Sequence, residues 1–200
     1  MNTLPCNKDR IIGQKRPLQI SHIWGIRIRL ELEGKTRDLA LFNMAQDSKL
    51  RGCDLVNLKV SDVAYGSSVS SRATVLQQKT GSPVQFEITK GTREAVAALI
   101  KLGNLHSKDF LFQSRVGLNQ HISTRQYNRI FHGWIKKLGL EDSLYSTHSM
   151  RRTKPYLIYK KTKNLRVIQL LLGHKKLEST VRYLGIEVDD ALEISESIEV

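Results

Sequence analysis

The chain reads as a mainly α-helical α+β domain with one small antiparallel sheet, and three stretches predict it. After Ser123, the residues Tyr127, Ile130, Phe131, Trp134, Ile135 and Leu138 follow an i, i+3, i+4, i+7 series closed by Gly139, the pattern of a helix with one buried face. Arg37 to Ala45 is apolar nearly all round through Leu39, Ala40, Leu41, Phe42 and Met44, which places a second helix inside the core. Val69 to Gln77 and Val84 to Ile88 are β-type runs parted by the turn formers Lys79-Thr80-Gly81-Ser82-Pro83, so they pair as a hairpin.

The other elements follow in order. Residues 1–19 are polar, basic and broken by Pro5, Gly13 and Pro17, a flexible arm. Order begins at Ser21, where Ile23, Ile26 and Leu30 recur at helical spacing, with Trp24 and Ile28 on an adjoining stripe and Gly34 as the stop. A break over Asp47 to Gly52 precedes a short helix around Asp54 to Leu58 and leaves Arg51 at the junction. Thr92 opens a helix carrying Ala95, Val96, Leu99 and Leu102. Thr147 to Tyr159 and Asn164 to Leu172 are two further helices, the second capped by Asn164 and stopped by Gly173. Ser179 opens a last short helix containing Tyr183. Pro155 falls inside the Thr147 helix, where an interior proline costs about 3 kcal/mol, so either a kink after Lys154 or a slight re-aiming of the side chains that helix presents is expected.

Two hundred residues with 40% hydrophobic content suffice for one domain with a sizeable core. The net charge of +13 favours a polyanionic partner, because cations that neutralise phosphates release condensed counterions. Acids concentrate after Tyr183, at Glu187, Asp189, Asp190, Glu193, Glu196 and Glu199, so the body is more basic than the average. The basic run from Arg151 to Arg182 is expected to lie on a phosphate backbone, with Arg152, Lys154, Lys175 and Lys176 as its DNA contacts. A basic run alone is more often a solvated charged face; its coincidence with reactive side chains decides for DNA.

Cys6 and Cys53 are too few for a disulfide framework or a cysteine zinc site and suit a reducing compartment. The first ten residues lack the apolar core of a signal peptide, and no stretch approaches the length of a membrane span, so a cytoplasmic protein is expected. No cluster of Asp and Glu with metal-ligand spacing occurs in the basic region, and no metal or other cofactor is expected.

A phosphodiester resists attack because its non-bridging oxygens repel a nucleophile and its alkoxide leaves poorly, so cations, a nucleophile and a proton donor are needed. Arg51 and Arg151 are candidates for the cations, since a guanidinium fork binds two phosphate oxygens and keeps its charge. His148 and Arg151, three apart, share a helix face near the helix's start, where the dipole favours an anion. His174 follows the Gly173 stop and can be presented to a cleft. Tyr183 offers a phenol that becomes nucleophilic once cations stabilise its phenolate, and Lys79 on the hairpin tip can protonate the departing 5′ oxygen.

This order, Arg51, Lys79, His148-Ser-Met-Arg151, Leu172-Gly173-His174, Tyr183, resembles the tyrosine recombinase (phage integrase) family over nearly all of residues 20–184. Ser48 to Leu55 resembles its first-arginine segment, and Thr180-Val181-Arg182-Tyr183 its nucleophile segment. The resemblance implies a metal-free and ATP-independent recombinase that cuts duplex DNA through a 3′-phosphotyrosine at Tyr183, as a homo-tetramer in the synapse, serving integration, excision or inversion. It implies that Asp54, where relatives have Glu, orients Arg51, and that the acidic tail of residues 185–200 packs on a neighbouring subunit. Most relatives carry an N-terminal DNA-clamping domain where only the short arm stands here, so an accessory DNA-bending protein is a candidate partner. The alternatives are a non-cutting DNA-binding regulator on the same scaffold and a tyrosine-based topoisomerase.

Overall fold

A computed structural model describes residues 14–66, 68–116 and 120–185, together with Leu192, Ser195 and Glu196. The acidic tail and the first thirteen residues of the arm therefore lie almost wholly outside the described residues. The order is α1 (Ile20–Leu32), α2 (Thr36–Ser48), α3 (Gly52–Val56), α4 (Val60–Val63), β1 (Ala64–Tyr65), β2 (Ser68–Val69), β3 (Arg72–Leu76), β4 (Pro83–Glu87), α5 (Lys90–Gly103), α6 (Thr124–Lys137), α7 (Thr147–Thr162), α8 (Leu165–Leu172) and α9 (Leu177–Leu184).

Helix α2 is the central post, buried on every face from Ala40 to Ser48, because α1, α5, α7 and β4 all pack on it. The main core joins its Leu41, Phe42 and Met44 to Val96 of α5 and to Tyr127, Phe131 and Ile135 of α6. Ser123 caps α6 by accepting from Gln126 N, and Asn164 caps α8 by accepting from Val167 N, both as their residue types and spacing predict. A second, much smaller core holds Tyr159, Ile168, Leu172 and Leu184 under α7, α8 and α9. The C-terminal helices thus rest on few apolar contacts of their own.

Several expectations are corrected. The sheet is two sheets, β1 with β2 and β3 with β4, each antiparallel; the hairpin runs Arg72↔Glu87 to Leu76↔Pro83. Helix α5 starts at Lys90 with Thr89 as its cap residue, and Thr92 is a buried residue of the first turn. Leu102 and Trp24 are exposed. The part of the arm that is described, residues 14–19, is packed rather than loose, with Leu18 1% exposed and its N–H donating to Thr153 Oγ1 at 2.9 Å. Pro155 is buried within α7, where its missing N–H leaves the Arg151 carbonyl without its i+4 donor but does not end the helix.

Candidate functional site

Three elements meet at the site, each by a local device. Arg51 is the cap residue of α3, directly after α2 ends in the left-handed Lys49, so the core post delivers it to the surface. Arg151 sits one turn into α7, whose start is fixed by Ser146: its hydroxyl accepts from His148 N, and Ser149 Oγ accepts from Ser146 N. His174 is set by the end of α8, where Gly173 is left-handed at φ +66 and His174 N–H donates to Gln169 O at 3.0 Å.

Arg51 and Arg151 are bridged rather than merely adjacent. Arg51 Nη1 donates to Gln77 Oε1 and Gln77 Nε2 donates to Leu172 O at 3.4 Å, while Arg151 Nη2 donates to the same carbonyl at 3.2 Å. Gln77 is 1% exposed and was legible only as the last residue of a strand run; no sequence signal marked its role, which depends on α8 ending beside the hairpin. Asp54, expected to orient Arg51, instead accepts from Gln78 N at 2.9 Å and so anchors the strand leading to Lys79. Lys79 is exposed on the hairpin turn.

His174 Nδ1 pairs with Thr180 Oγ1 at 3.1 Å, which fixes the ring and leaves Nε2 for a substrate; Thr180, wholly buried, is a second partner the sequence did not reveal. Burial, then Arg151 and Arg51, push the His174 pKa down to about 4, so the imidazole is neutral near pH 7. His148 is exposed at the start of α7, where partial desolvation by its neighbours and the charges of Arg151, Arg152, Arg51 and Lys79 lower its pKa as well. Those charges place His148 in the same field as Arg51 and Lys79.

Tyr183 lies inside this cluster. The His174 ring meets its ring edge-on at 5.5 Å, and the Arg151 and Arg152 guanidinium carbons stand 5.7 and 5.2 Å from its centroid. Burial raises the phenol pKa while Arg151, Arg152 and Arg51 pull it the other way. Among the described residues, the buried side-chain atoms without a hydrogen-bond partner are the Tyr183 hydroxyl, Arg151 Nε and Asp54 Oδ2, all in or beside this site. Buried donors and acceptors are almost always paired, so such a group at one place marks a spot built to meet something else.

The four residues expected on DNA divide. Lys175 and Lys176 are exposed beside the site. Lys154 departs from the expectation: it stands 2.7 Å from Asp47 Oδ1 and 2.6 Å from Glu87 Oε1, already neutralised by two carboxylates. Arg152 donates from Nη1 to Lys15 O at 2.8 Å and stacks on Tyr183.

A sequence model of the phage integrase family matches residues 26–188. The chain belongs to the phage integrase family. It is 29% identical over 158 residues to the probable integrase/recombinase YoeC of Bacillus subtilis, covering 79% of this chain and 82% of that protein. It is also 29% identical over 161 residues to tyrosine recombinase XerC of Leptospira interrogans, covering 79% of this chain and 49% of XerC. This family member therefore spans about half the length of that XerC relative. Among solved structures, the XerA recombinase superposes with a TM-score of 0.74 at 20% identity, covering 92% of this chain and 65% of XerA. The XerH site-specific recombinase, in a post-cleavage complex with palindromic difH substrate, also gives 0.74, at 18% identity, covering 93% of this chain and 54% of XerH. At these identities the superpositions establish the fold, that of the tyrosine recombinase catalytic domain.

Proposed function

We propose that this integrase-family chain is a site-specific DNA recombinase that cuts and rejoins duplex DNA through a transient 3′-phosphotyrosine at Tyr183. The observation that carries the proposal is the placement of the Tyr183 ring between two guanidinium groups and the His174 edge, with its hydroxyl buried and unpaired among the described residues. In the forward step the phenolic oxygen bonds to phosphorus and the bond from phosphorus to the 5′ oxygen breaks. Arg51 and Arg151 hold the non-bridging oxygens and carry the charge that builds on them. The neutral imidazoles of His148 and His174 accept the phenol proton or donate to the same oxygens, and Lys79 protonates the 5′ oxygen. The new ester keeps the energy of the broken one, so rejoining requires neither a nucleotide nor a metal. Pairwise strand exchange then requires four protomers on two duplexes, with a DNA-bending helper as a further partner.

The test uses duplexes enriched by this chain from a random library, nicked near the bound site so that the cut end diffuses away. Wild type should leave a protein-DNA adduct on a denaturing gel, and Tyr183→Phe should bind equally and leave none. Tight binding by wild type with no adduct would instead identify a non-cutting DNA-binding protein.

A further inference from the structure

Residues 14–18 cross the face of the domain next to Tyr183 and are tied down at each step. Leu18 is buried and its N–H donates to Thr153 on α7; Arg16 N–H donates to Leu144 O at 2.9 Å, in the turn before α7. Lys15 O then accepts from Arg152 Nη1, and Gln14 Nε2 reaches the Arg182 carbonyl in the last turn of α9. Gln14 also lies so close to the end of α9 that a Cβ on Gly185 would stand 3.1 Å from its Oε1. The segment therefore grips both groups that flank the phenol: the helix that carries it and the guanidinium stacked on its ring.

Arg152 is accordingly engaged on two sides. One nitrogen is taken by a backbone carbonyl and the planar face lies 5.2 Å from the Tyr183 centroid, a geometry in which a guanidinium orients a ring. Helix α9 has a small apolar footing, since its Leu184 belongs to the satellite core of Tyr159, Ile168 and Leu172, and it is otherwise held by Thr180 on His174 and by packing on α7 and α8. An element with so little apolar contact opens locally at low free energy unless something outside it holds it.

We infer that the segment Gln14–Leu18 is a strap that positions Tyr183, with Gln14 acting on α9 through the Arg182 carbonyl and Arg152 acting on the phenol ring under the Lys15 carbonyl. Gln14 and Arg152 are then positioning residues, and Arg152 is not a DNA phosphate contact. The inference rests on Tyr183 being the nucleophile.

The experiment compares full-length wild type, Gln14→Ala and Arg152→Lys on the same nicked duplexes, measuring affinity, its salt dependence and the single-turnover rate of adduct formation. Hydrogen exchange at the amides of residues 182–185 is read in the DNA-free protein. Loss of one hydrogen bond or of the planar stack should slow adduct formation by about three- to tenfold. Affinity should stay within about twofold, with the salt slope unchanged, because no phosphate contact is lost. The double variant should lose less than the product of the two, since both act through one strap. Gln14→Ala should speed exchange in α9 and leave α6 unchanged. Unchanged α9 exchange in Gln14→Ala, faster adduct formation, or an Arg152→Lys defect confined to affinity would each overturn the strap. A wild type that forms no adduct while α9 exchange still responds to Gln14→Ala would sink the cleavage proposal and leave the strap contact standing.

Discussion

Gly173 carries two demands at one position. Its φ of +66 is the left-handed conformation, and a Cβ there would stand 2.5 Å from Val84 Cγ2 on the neighbouring hairpin. Gly173→Ala should destabilise the domain by about 2–3 kcal/mol, the left-handed penalty plus local overpacking, checked by urea unfolding. It should also depress adduct formation, because His174 is the next residue. His174 supplies a second prediction. Its folded pKa of about 4 lies below the unfolded value of 6.5, so the unfolded chain binds the proton first, and stability declines as pH falls from 6.5 towards 4. A phosphate between Arg51 and Arg151 would offset the charges that hold His174 neutral and raise its pKa. Binding of duplex between those pH values should therefore take up protons, seen as a dependence of the calorimetric enthalpy on buffer ionisation; no uptake would mean that the phosphate does not sit against His174.

At the scale of elements, charges buried behind the site bind α2, β4 and α7 together. Asp47 Oδ2 accepts from Thr89 N, Thr89 Oγ1 and Thr92 Oγ1 at 2.8, 2.7 and 2.6 Å, so a residue of α2 caps α5 from outside that helix. Asp47 Oδ1 pairs with Lys154, which also pairs with Glu87, and Glu87 pairs with the fully buried Lys49 at 2.9 Å. Burial opposes the charge on Asp47, but Lys154, Thr92 and Thr89 more than offset it, and its pKa falls below the usual range. Asp47→Ala should cost about 3 kcal/mol, because it strands buried donors as well as breaking a pair. In wild type the contribution of Asp47 is present above the unfolded carboxylate pKa and is lost as pH falls through the lower folded value; acid unfolding of the variant should lack that component. Helix periodicity and the capping residues Ser123 and Asn164 were readable in the sequence because they act within a turn or two. The cap from Asp47 was not, since its partners lie 42 and 45 positions away.

For the whole molecule, a net charge of +13 predicts duplex binding that weakens steeply with salt. The exposed Lys175 and the paired Lys154 should separate cleanly in that measurement. Lys175→Ala should reduce the slope of log affinity against log salt by about 1, whereas Lys154→Met should leave the slope unchanged and lower stability instead. Equal slopes for Lys175→Ala and wild type would remove Lys175 from the DNA surface. The basic run was correctly visible as a run, yet which of its members face solvent depended on what packed against each. Lys154 meets Asp47 across 107 positions, and composition carries no trace of that pairing.

Readable in the amino-acid sequence alone were the longer helices, the hairpin and, through the family resemblance, the linear series of Arg51, Lys79, His148, Arg151, His174 and Tyr183; the four-residue α4 and the β1–β2 pair were not. The elements were readable because backbone periodicity, caps and turn chemistry are local, and the series because six residue types stand in the order of a known family, although none of them singly marks a site. Tertiary structure alone decided that Gln77 bridges Arg51 to the end of α8, that Asp54 serves the hairpin, that Lys154 is spent on carboxylates and that residues 14–18 reach α9. Each of these is a contact between segments far apart in the chain. The strength of a charge or hydrogen bond depends on distance and on burial, and only packing sets both.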